Sequence, residues 1–109
     1  MTEFFDALET RDPAAREAAL MAALPAHVAH AQQRSAAFAD ILAGVDAAAV
    51  GSRAALARPP GTRKGELLAR PQASPAAGRD AFGGLATRRW GAAMRRVYAS
   101  PGPIYEPEG

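Results

Sequence analysis

The fold prediction depends on one stretch, RRVYASPGPIYEP, which spans residues 95–107. Its first half, around Val97 and Tyr98, has the β-branched and aromatic residues that are typical of a strand. The Pro-Gly-Pro at 101–103 then predicts a tight turn. The apolar pair at 104–105 can return beside the strand as the second arm of a hairpin. Because a lone two-stranded hairpin is marginally stable in water, this pattern indicates that further strands complete the sheet.

Capping residues followed by apolar positions three or four apart predict helices before this stretch. The longest begins at Asp12-Pro13 and runs to about residue 33, with Leu20, Leu24 and Val28 on one face. Pro25 is expected to kink or split it. A shorter helix at residues 3–9 places Phe4, Phe5 and Leu8 on one face. Short helices or helical turns are also predicted at residues 36–43, 46–50, 53–57 and 63–70. The first is capped by Ser35 and stopped by Gly44, the third is capped by Ser52, and the last is capped by Thr62.

Large apolar side chains are scarce in this sequence. Leu, Ile, Val and Phe together supply 18 of 109 residues, below the level of about 20% at which a self-sufficient core becomes doubtful. Alanine carries much of the 49% hydrophobic content and buries little area per residue. We therefore expect a mainly α fold that needs more chain or a partner to complete its core. It divides into a helical subdomain at 1–70, a Gly/Pro-rich linker with a short turn at 71–93, which Phe82 and Leu85 attach to the core, and a strand-turn at 94–109.

Charge is distributed unevenly along the chain. Residues 1–50 hold three arginines against seven acids, a formal charge of −4, and residues 51–109 hold ten basic residues against four acids, a charge of +6. Such asymmetry is typical of an anion-binding half, although an Ala/Arg composition bias explains it equally well. The absence of cysteine excludes disulfides and thiolate metal sites. No run reaches the length of a membrane span, and an acidic N-terminus argues against a transit peptide, so we expect a soluble cytoplasmic protein.

Two polar patterns resemble binding sites, and each has a plainer explanation. His27 and His30 share a helical face, but no carboxylate stands at helical spacing beside them, so surface or half-buried histidines are expected and a metal site is not. The Arg88-Arg89-Trp90 and 95–98 segments interleave arginine with aromatics, as nucleic-acid grooves do. Adjacent strand residues point to opposite faces, which prevents one patch. Solvated arginines flanking a core strand are the favoured explanation, and a nucleic-acid partner is not expected.

Two further segments have the position of a phosphate site. The Thr62-Arg63-Lys64 run opens a helix, where free N–H groups favour an anion, but an ordinary N-cap explains it more simply. The turn at 100–103 follows a strand, as a phosphate loop does. Two prolines remove two of the N–H groups that such a loop needs, so the residues alone favour a rigid turn. No catalytic Ser/His/Asp, Cys/His or paired-carboxylate set is present in the sequence.

Several segments together resemble a known family. They are His27-Val-Ala-His-Ala, the run SAAFADILAGV at 35–45, SRAALARP at 52–59, TRKGELL at 62–68, FGGL at 82–85 and RVYASPGPIYEP at 96–107. In this order they resemble the N-terminal portion of the phenylacetate–coenzyme A ligase family, part of the AMP-dependent synthetase or adenylate-forming superfamily. The resemblance covers about residues 6 to 109 here, but only about the first quarter of a family member.

The resemblance implies that the chain is an incomplete piece of an α/β adenylate-forming fold, from a divergent branch. Such enzymes adenylate a carboxylic acid with ATP and Mg²⁺ and then pass the acyl group to coenzyme A. Ser100 and Gly102 match a serine and a glycine of the family's phosphate loop, whereas the prolines at 101 and 103 depart from it. The adenylate-binding motifs and the acyl pocket are missing. We therefore expect an inactive fragment that binds none of these cofactors tightly and whose partner is the rest of the ligase chain or a homologous subunit.

Two functions from other classes stay open. One is a stand-alone helical interaction module that docks Phe4, Phe5 and the apolar stripe of the long helix on a partner. The other, less favoured, is a small arginine-rich nucleic-acid binder, which would show retention on heparin with a steep salt dependence.

Overall fold

Helices, several of them begun by short polar caps, are the main regular structure of the described residues in a computed structural model. The structure describes residues 3–73, 82–89, 91–92, 94–100 and 104–107. Within these ranges the described residues are mainly helical, which confirms the predicted mainly α class. The elements are α1 (Pro13–Arg34), α2 (Ala36–Ile41), a 3₁₀ helix (Ala47–Ala49), α3 (Arg53–Leu56), α4 (Lys64–Ala73), β1 (Val97–Ser100) and β2 (Ile104–Pro107).

Side-chain caps begin these helices where the sequence predicts them. The Asp12 carboxylate accepts a hydrogen bond from the Ala15 N–H at 3.0 Å, and α1 follows with proline in its first turn. The Ser52 hydroxyl accepts from the Ala55 N–H at 3.1 Å and begins α3. Each cap satisfies one of the N–H groups that a helix start leaves without an internal partner. The boundaries of these short elements are therefore fixed by local chemistry.

Pro25 lies inside an unbroken helix. The prediction that it splits the long helix is wrong, because α1 continues as one element from Pro13 to Arg34. Pro25 removes one backbone hydrogen bond, but α1 packs against the 3₁₀ helix and the residues after it. A Cβ placed on Gly51 would lie 3.9 Å from the Pro25 ring, an ordinary packing distance. Helix α1 therefore continues through the proline with one backbone hydrogen bond fewer.

The predicted helix at residues 3–9 is absent from the described structure. This segment forms hydrogen-bonded turns instead. The Asp6 carboxylate accepts from the Leu8 N–H at 2.8 Å, and the Glu9 carboxylate accepts from the Phe5 N–H at 2.9 Å. Acidic side chains thus occupy backbone donors of the segment, which is how Asp competes with helix formation.

The core is small and lies where α1, α2 and the 3₁₀ helix meet. In the described part of the chain, the buried apolar residues are Val28, Ala37, Val50 and Phe82. The predicted apolar stripe of α1 is buried only at its C-terminal end, since Leu24 is half-buried and Leu20 is 52% exposed. A chain with few large apolar residues covers only part of its longest helix.

The C-terminal elements are α4 and the hairpin of β1 and β2, and α4 is longer than predicted. Helix α4 runs through Pro71 to Ala73, three residues beyond its expected end. Strand β1 pairs antiparallel with β2, so that Val97 stands opposite Pro107 and Ser100 opposite Ile104. The predicted return of residues 104 and 105 beside the first strand is therefore present. Among the described residues, no helix combines the length and apolar character that crossing a bilayer requires.

Candidate functional site

Ser100, one of the two predicted phosphate-loop residues, is the last residue of β1. It stands opposite Ile104 in the antiparallel ladder. Gly102, the second predicted residue, lies outside the described residues, as do both prolines of the turn. The structure therefore places the start of the predicted loop at a strand end, the position that the sequence indicates. It brings no other predicted site residue to this position in the described part of the chain.

At the start of α4, a carboxylate of the helix itself accepts a backbone hydrogen bond. The Arg63 N–H donates to the Glu66 carboxylate at 3.1 Å, so a backbone donor at the helix start is already used. The bond reaches from the third residue of the helix back to the residue before it, much as the Glu of a capping box does. A carboxylate there also provides the negative charge that the helix dipole favours. This arrangement supports the plain capping explanation over phosphate binding.

The two histidines do not form part of a metal centre in the described structure. His27 and His30 are both exposed on α1. Within the described ranges no group of three His, Asp or Glu side chains could hold a metal ion. The prediction of surface histidines fits these positions.

The arginine-rich strand is more exposed than the core strand that we expected. Val97 is 43% exposed, Tyr98 is 51% exposed, and Arg95 just before β1 is also exposed. Arg88 and Arg89 are exposed as well, while Trp90 lies outside the described residues. The expectation that β1 is a core strand is wrong for Val97 and Tyr98, because the sheet formed by the described residues has only the two strands β1 and β2.

A polar junction joins two segments that are far apart in sequence. Ser35 is 1% exposed and caps α2, since its hydroxyl accepts from the Phe38 N–H at 3.2 Å. The same hydroxyl donates to the Gly84 carbonyl at 2.9 Å, across 49 residues. The Ala37 N–H donates to that carbonyl as well, at 2.9 Å. One carbonyl thus accepts two hydrogen bonds from the start of α2 and fixes the residue 82–85 turn against it.

Gly84 adopts the backbone conformation of this turn, and the Phe82 side chain is buried beside it in sequence. Gly84 has φ +76°, in the left-handed region that glycine adopts freely. A Cβ there would lie 3.5 Å from the Ala37 nitrogen. Phe82, at the other end of the turn, is only 5% exposed. The prediction that Phe82 and Leu85 attach this turn to the core is confirmed, with Phe82 buried and Leu85 half-buried.

Gln32 holds the other end of α2, and its role was not predicted from the sequence. Its side-chain amide donates to the Leu42 carbonyl at 3.1 Å and to the Val45 carbonyl at 2.8 Å. Leu42 is the residue that caps the C-terminal end of α2, and its carbonyl also accepts from the Val45 N–H at 3.0 Å, so Gln32 adds a second donor there and ties the loop after α2 to α1. A signal is present in the sequence: Gln32 stands four residues after the buried Val28, on the same face of α1. A polar residue at a core-facing position indicates a buried hydrogen-bonding role.

An ion pair connects α1 to α3. Arg53 donates from Nη2 to Glu17 Oε2 at 2.7 Å and from Nε to Oε1. These hydrogen bonds lower the pKa of Glu17 below its ordinary value and raise the pKa of Arg53. Because both side chains face solvent, the pair orients α3 more than it stabilises the fold.

The polar groups that the fold brings together cap helices, tie turns or pair at the surface. In the described part of the chain, no buried side-chain nitrogen or oxygen is left without a hydrogen-bond partner. Comparison of the sequence and structure with known protein families, characterised proteins and solved structures finds no match.

Proposed function

We propose that this chain is the helical N-terminal portion of an ATP-dependent acyl- or aryl-coenzyme A ligase of the phenylacetate–coenzyme A ligase type. Such an enzyme adenylates a carboxylic acid and then forms the thioester. ATP, Mg²⁺ and coenzyme A act in the full-length enzyme. This portion contributes a packed helical support and the entry into a strand, and we assign no reacting group to it.

One observation carries the proposal. Ser35 belongs to the run at 35–45 and Gly84 to the FGGL run at 82–85, and both runs are among those that resemble the ligase family. The two residues form a direct hydrogen bond of 2.9 Å across 49 residues. A bias toward alanine and arginine gives no reason for these two runs to meet. A tertiary contact between two of the runs that carry the resemblance supports the view that they belong to one folded unit.

The described residues alone do not fit a nucleotide. Ser100 is committed to the end of the β1–β2 ladder, and proline at 101 and 103 removes two backbone donors from the turn after it. A phosphate cradle needs successive free N–H groups. We therefore derive no step of adenylation through this chain, and we expect its affinity for ATP to be weak.

The genomic DNA after codon 109 provides the test. If the proposal is right, an in-frame or frame-shifted continuation encodes the adenylate-binding motifs of a ligase. The joined polypeptide should then catalyse ATP–pyrophosphate exchange with one of a panel of aryl and acyl acids, while residues 1–109 alone should not. A downstream sequence without ligase motifs would overturn the assignment. Exchange by the 109-residue chain alone would overturn its assigned supporting role.

A second candidate, a helical interaction module, is favoured by one specific observation. Phe4, Phe5 and Leu8 are 54%, 92% and 57% exposed, although each is a residue type that proteins usually bury. A module of this kind would fold cooperatively as 109 residues. A sharp thermal transition, with dispersed amide resonances through residues 97–107, would favour it over the ligase portion.

A further inference from the structure

The outward face of α1 carries both histidines of the chain. His27 and His30 are exposed and stand three positions apart on this 22-residue helix. Residues at this spacing share a helix face, with their Cβ atoms about 5–6 Å apart. Val28 and Gln32, which face the core, lie on the opposite side of α1. The imidazole pair therefore points away from the packed residues and into solvent.

Both imidazoles are available as ligands. Within the described part of the chain, neither ring forms a hydrogen bond or an ion pair. Ala23 stands one turn before His27, and Ala26 stands one turn before His30, and both alanines are exposed. Their small side chains leave the rings accessible, so another molecule can approach this face of the helix closely.

The chemistry of the pair selects the kind of metal ion. Imidazole nitrogen suits transition ions such as Zn²⁺, whereas Mg²⁺ and Ca²⁺ take oxygen ligands. Glu17, the single acid of α1, is near the other end of the helix and is hydrogen-bonded to Arg53. Arg34, one turn after His30, is exposed on the same face, and its charge opposes a cation there. An ion at this face is therefore held by nitrogen ligands alone.

One copy of the chain supplies two ligands, and a tetrahedral Zn²⁺ site needs four. In the described ranges no group of three His, Asp or Glu side chains could hold a metal ion. A two-fold pair of chains provides the same two imidazoles twice. In an antiparallel pair of α1 helices, His27 of each copy stands opposite His30 of the other. Arg34 then stands opposite Ala23, so that the arginines of the two copies do not face each other.

We propose that His27 and His30 of two copies of this chain bind one Zn²⁺ ion between their α1 helices. Each neutral imidazole donates a nitrogen lone pair to the ion and displaces a water from it. The metal supplies the bonds that join the copies, because the surrounding alanines and arginines offer little attraction of their own. The inference is independent of the ligase assignment, since it uses only the outward face of α1.

The mass of the 109-residue chain, prepared without a histidine tag, is the first measurement. Sedimentation velocity at roughly 50 µM should show the mass rising from 11.3 kDa toward twice that value when Zn²⁺ is added at half the chain concentration. A chelator should reverse the change, and Mg²⁺ should not cause it. Titration calorimetry should give one Zn²⁺ per two chains. A mass that stays at 11.3 kDa with Zn²⁺, or an equal response to Mg²⁺, overturns the proposal.

Single substitutions locate the ligands. His27→Ala and His30→Ala should each weaken the Zn²⁺-dependent association at least about tenfold, because each removes two of the four nitrogens. Gln33→Ala is the matched control, since Gln33 is exposed on the same helix and is not one of the ligands. Circular dichroism should show the same helix content in all three variants. An equal loss in Gln33→Ala, or unchanged association in either histidine variant, contradicts the proposed site.

The charge beside the pair provides a test of opposite sign. Arg34→Gln removes a positive charge one turn from His30 and should strengthen the Zn²⁺-dependent association about two- to fivefold. Added salt should reduce this gain, since exposed charges are screened over about 10 Å at 0.1 M. Weaker association of the Arg34→Gln variant, at unchanged helix content, would show that the ion does not bind on this face.

Discussion

Hydrogen bonds hold both the junction at Ser35 and the N-terminal turns at residues 3–9, but a phenylalanine is buried at the first and exposed at the second. At the junction, Ser35 and Ala37 bind the Gly84 carbonyl, and this brings Phe82 into the core at 5% exposure. In residues 3–9, the carboxylates of Asp6 and Glu9 accept hydrogen bonds from backbone N–H groups of the same segment, and Phe4 and Phe5 are exposed. Both regions are held by short polar contacts. The difference shows that, in a chain poor in large apolar residues, contact between distant segments decides whether a phenylalanine is buried.

The largest effect is expected from one substitution made at both places. Phe82→Ala should lower the free energy of unfolding by about 3 kcal/mol, because it removes a buried aromatic side chain and leaves a cavity. Phe5→Ala should change it by less than about 0.5 kcal/mol, because the side chain is 92% exposed. Urea denaturation monitored by circular dichroism measures both, at a concentration low enough to keep the chain monomeric. Equal losses of unfolding free energy would show that the Phe5 side chain is buried in solution.

A smaller effect separates the tertiary bond of Ser35 from its capping role. Ser35→Ala removes a helix cap and also leaves the Gly84 carbonyl with one donor fewer, so a loss of about 2 kcal/mol is expected. Ser52→Ala removes only a cap, since its hydroxyl accepts from the Ala55 N–H in the same helix, and should cost about 1 kcal/mol. Denaturation midpoints of the two variants give the difference. Equal losses would mean that the bond to Gly84 contributes nothing to stability.

Gln32 offers a comparison with its neighbour in sequence. Gln32→Ala leaves the Leu42 and Val45 carbonyls without their side-chain donor and should cost about 1–2 kcal/mol. Gln33→Ala, at an exposed position on the same helix, should cost less than about 0.5 kcal/mol. Amide exchange of the α2 residues should accelerate in the first variant only. Faster exchange in both would point to a general loosening of α1.

The smallest effect concerns pH. The bonds from Arg53 lower the pKa of Glu17 in the folded chain, so the pair stabilises the fold above the unfolded-state pKa of about 4.3 and loses this contribution as the pH falls through the folded pKa. The wild-type Tm should therefore exceed that of Glu17→Gln at pH 7, and the two should converge near pH 3. A Tm difference that is constant with pH would show that the carboxylate charge is not responsible.

Local chemistry made much of the fold predictable. The caps at Asp12, Ser35 and Ser52 were predictable because a short polar side chain before a run of helix formers has one low-energy arrangement. The helix predicted at 36–43 ends earlier than expected, since α2 closes at Ile41, and Gly44 with φ +80° lies in the turn after it. The hairpin pairing was expected from strand formers on both sides of a proline-rich turn. Each of these predictions needed only residues within a few positions of each other.

Predictions that depended on distant contacts were wrong or missing. A kink or split at Pro25 was expected from a lost backbone bond, but α1 continues as one helix from Pro13 to Arg34, with Gly51 near the proline ring. The helix at 3–9 is replaced by turns because side-chain carboxylates bind its backbone donors. Of the candidate site, the position of Ser100 at a strand end was predictable from local pattern. The double role of Ser35 was not, because nothing near residue 35 in the sequence indicates Gly84.

The Gly84 carbonyl also anchors one end of the connection to the hairpin. Twelve residues separate Gly84 from the start of β1 at Val97, so a fully extended connection would hold the hairpin within about 45 Å of the first turn of α2. Any further strand that the hairpin pairs with must therefore lie inside that radius, unless the junction opens. A protease cut between these two points would release the hairpin and leave the helices, with their shared carbonyl, in place.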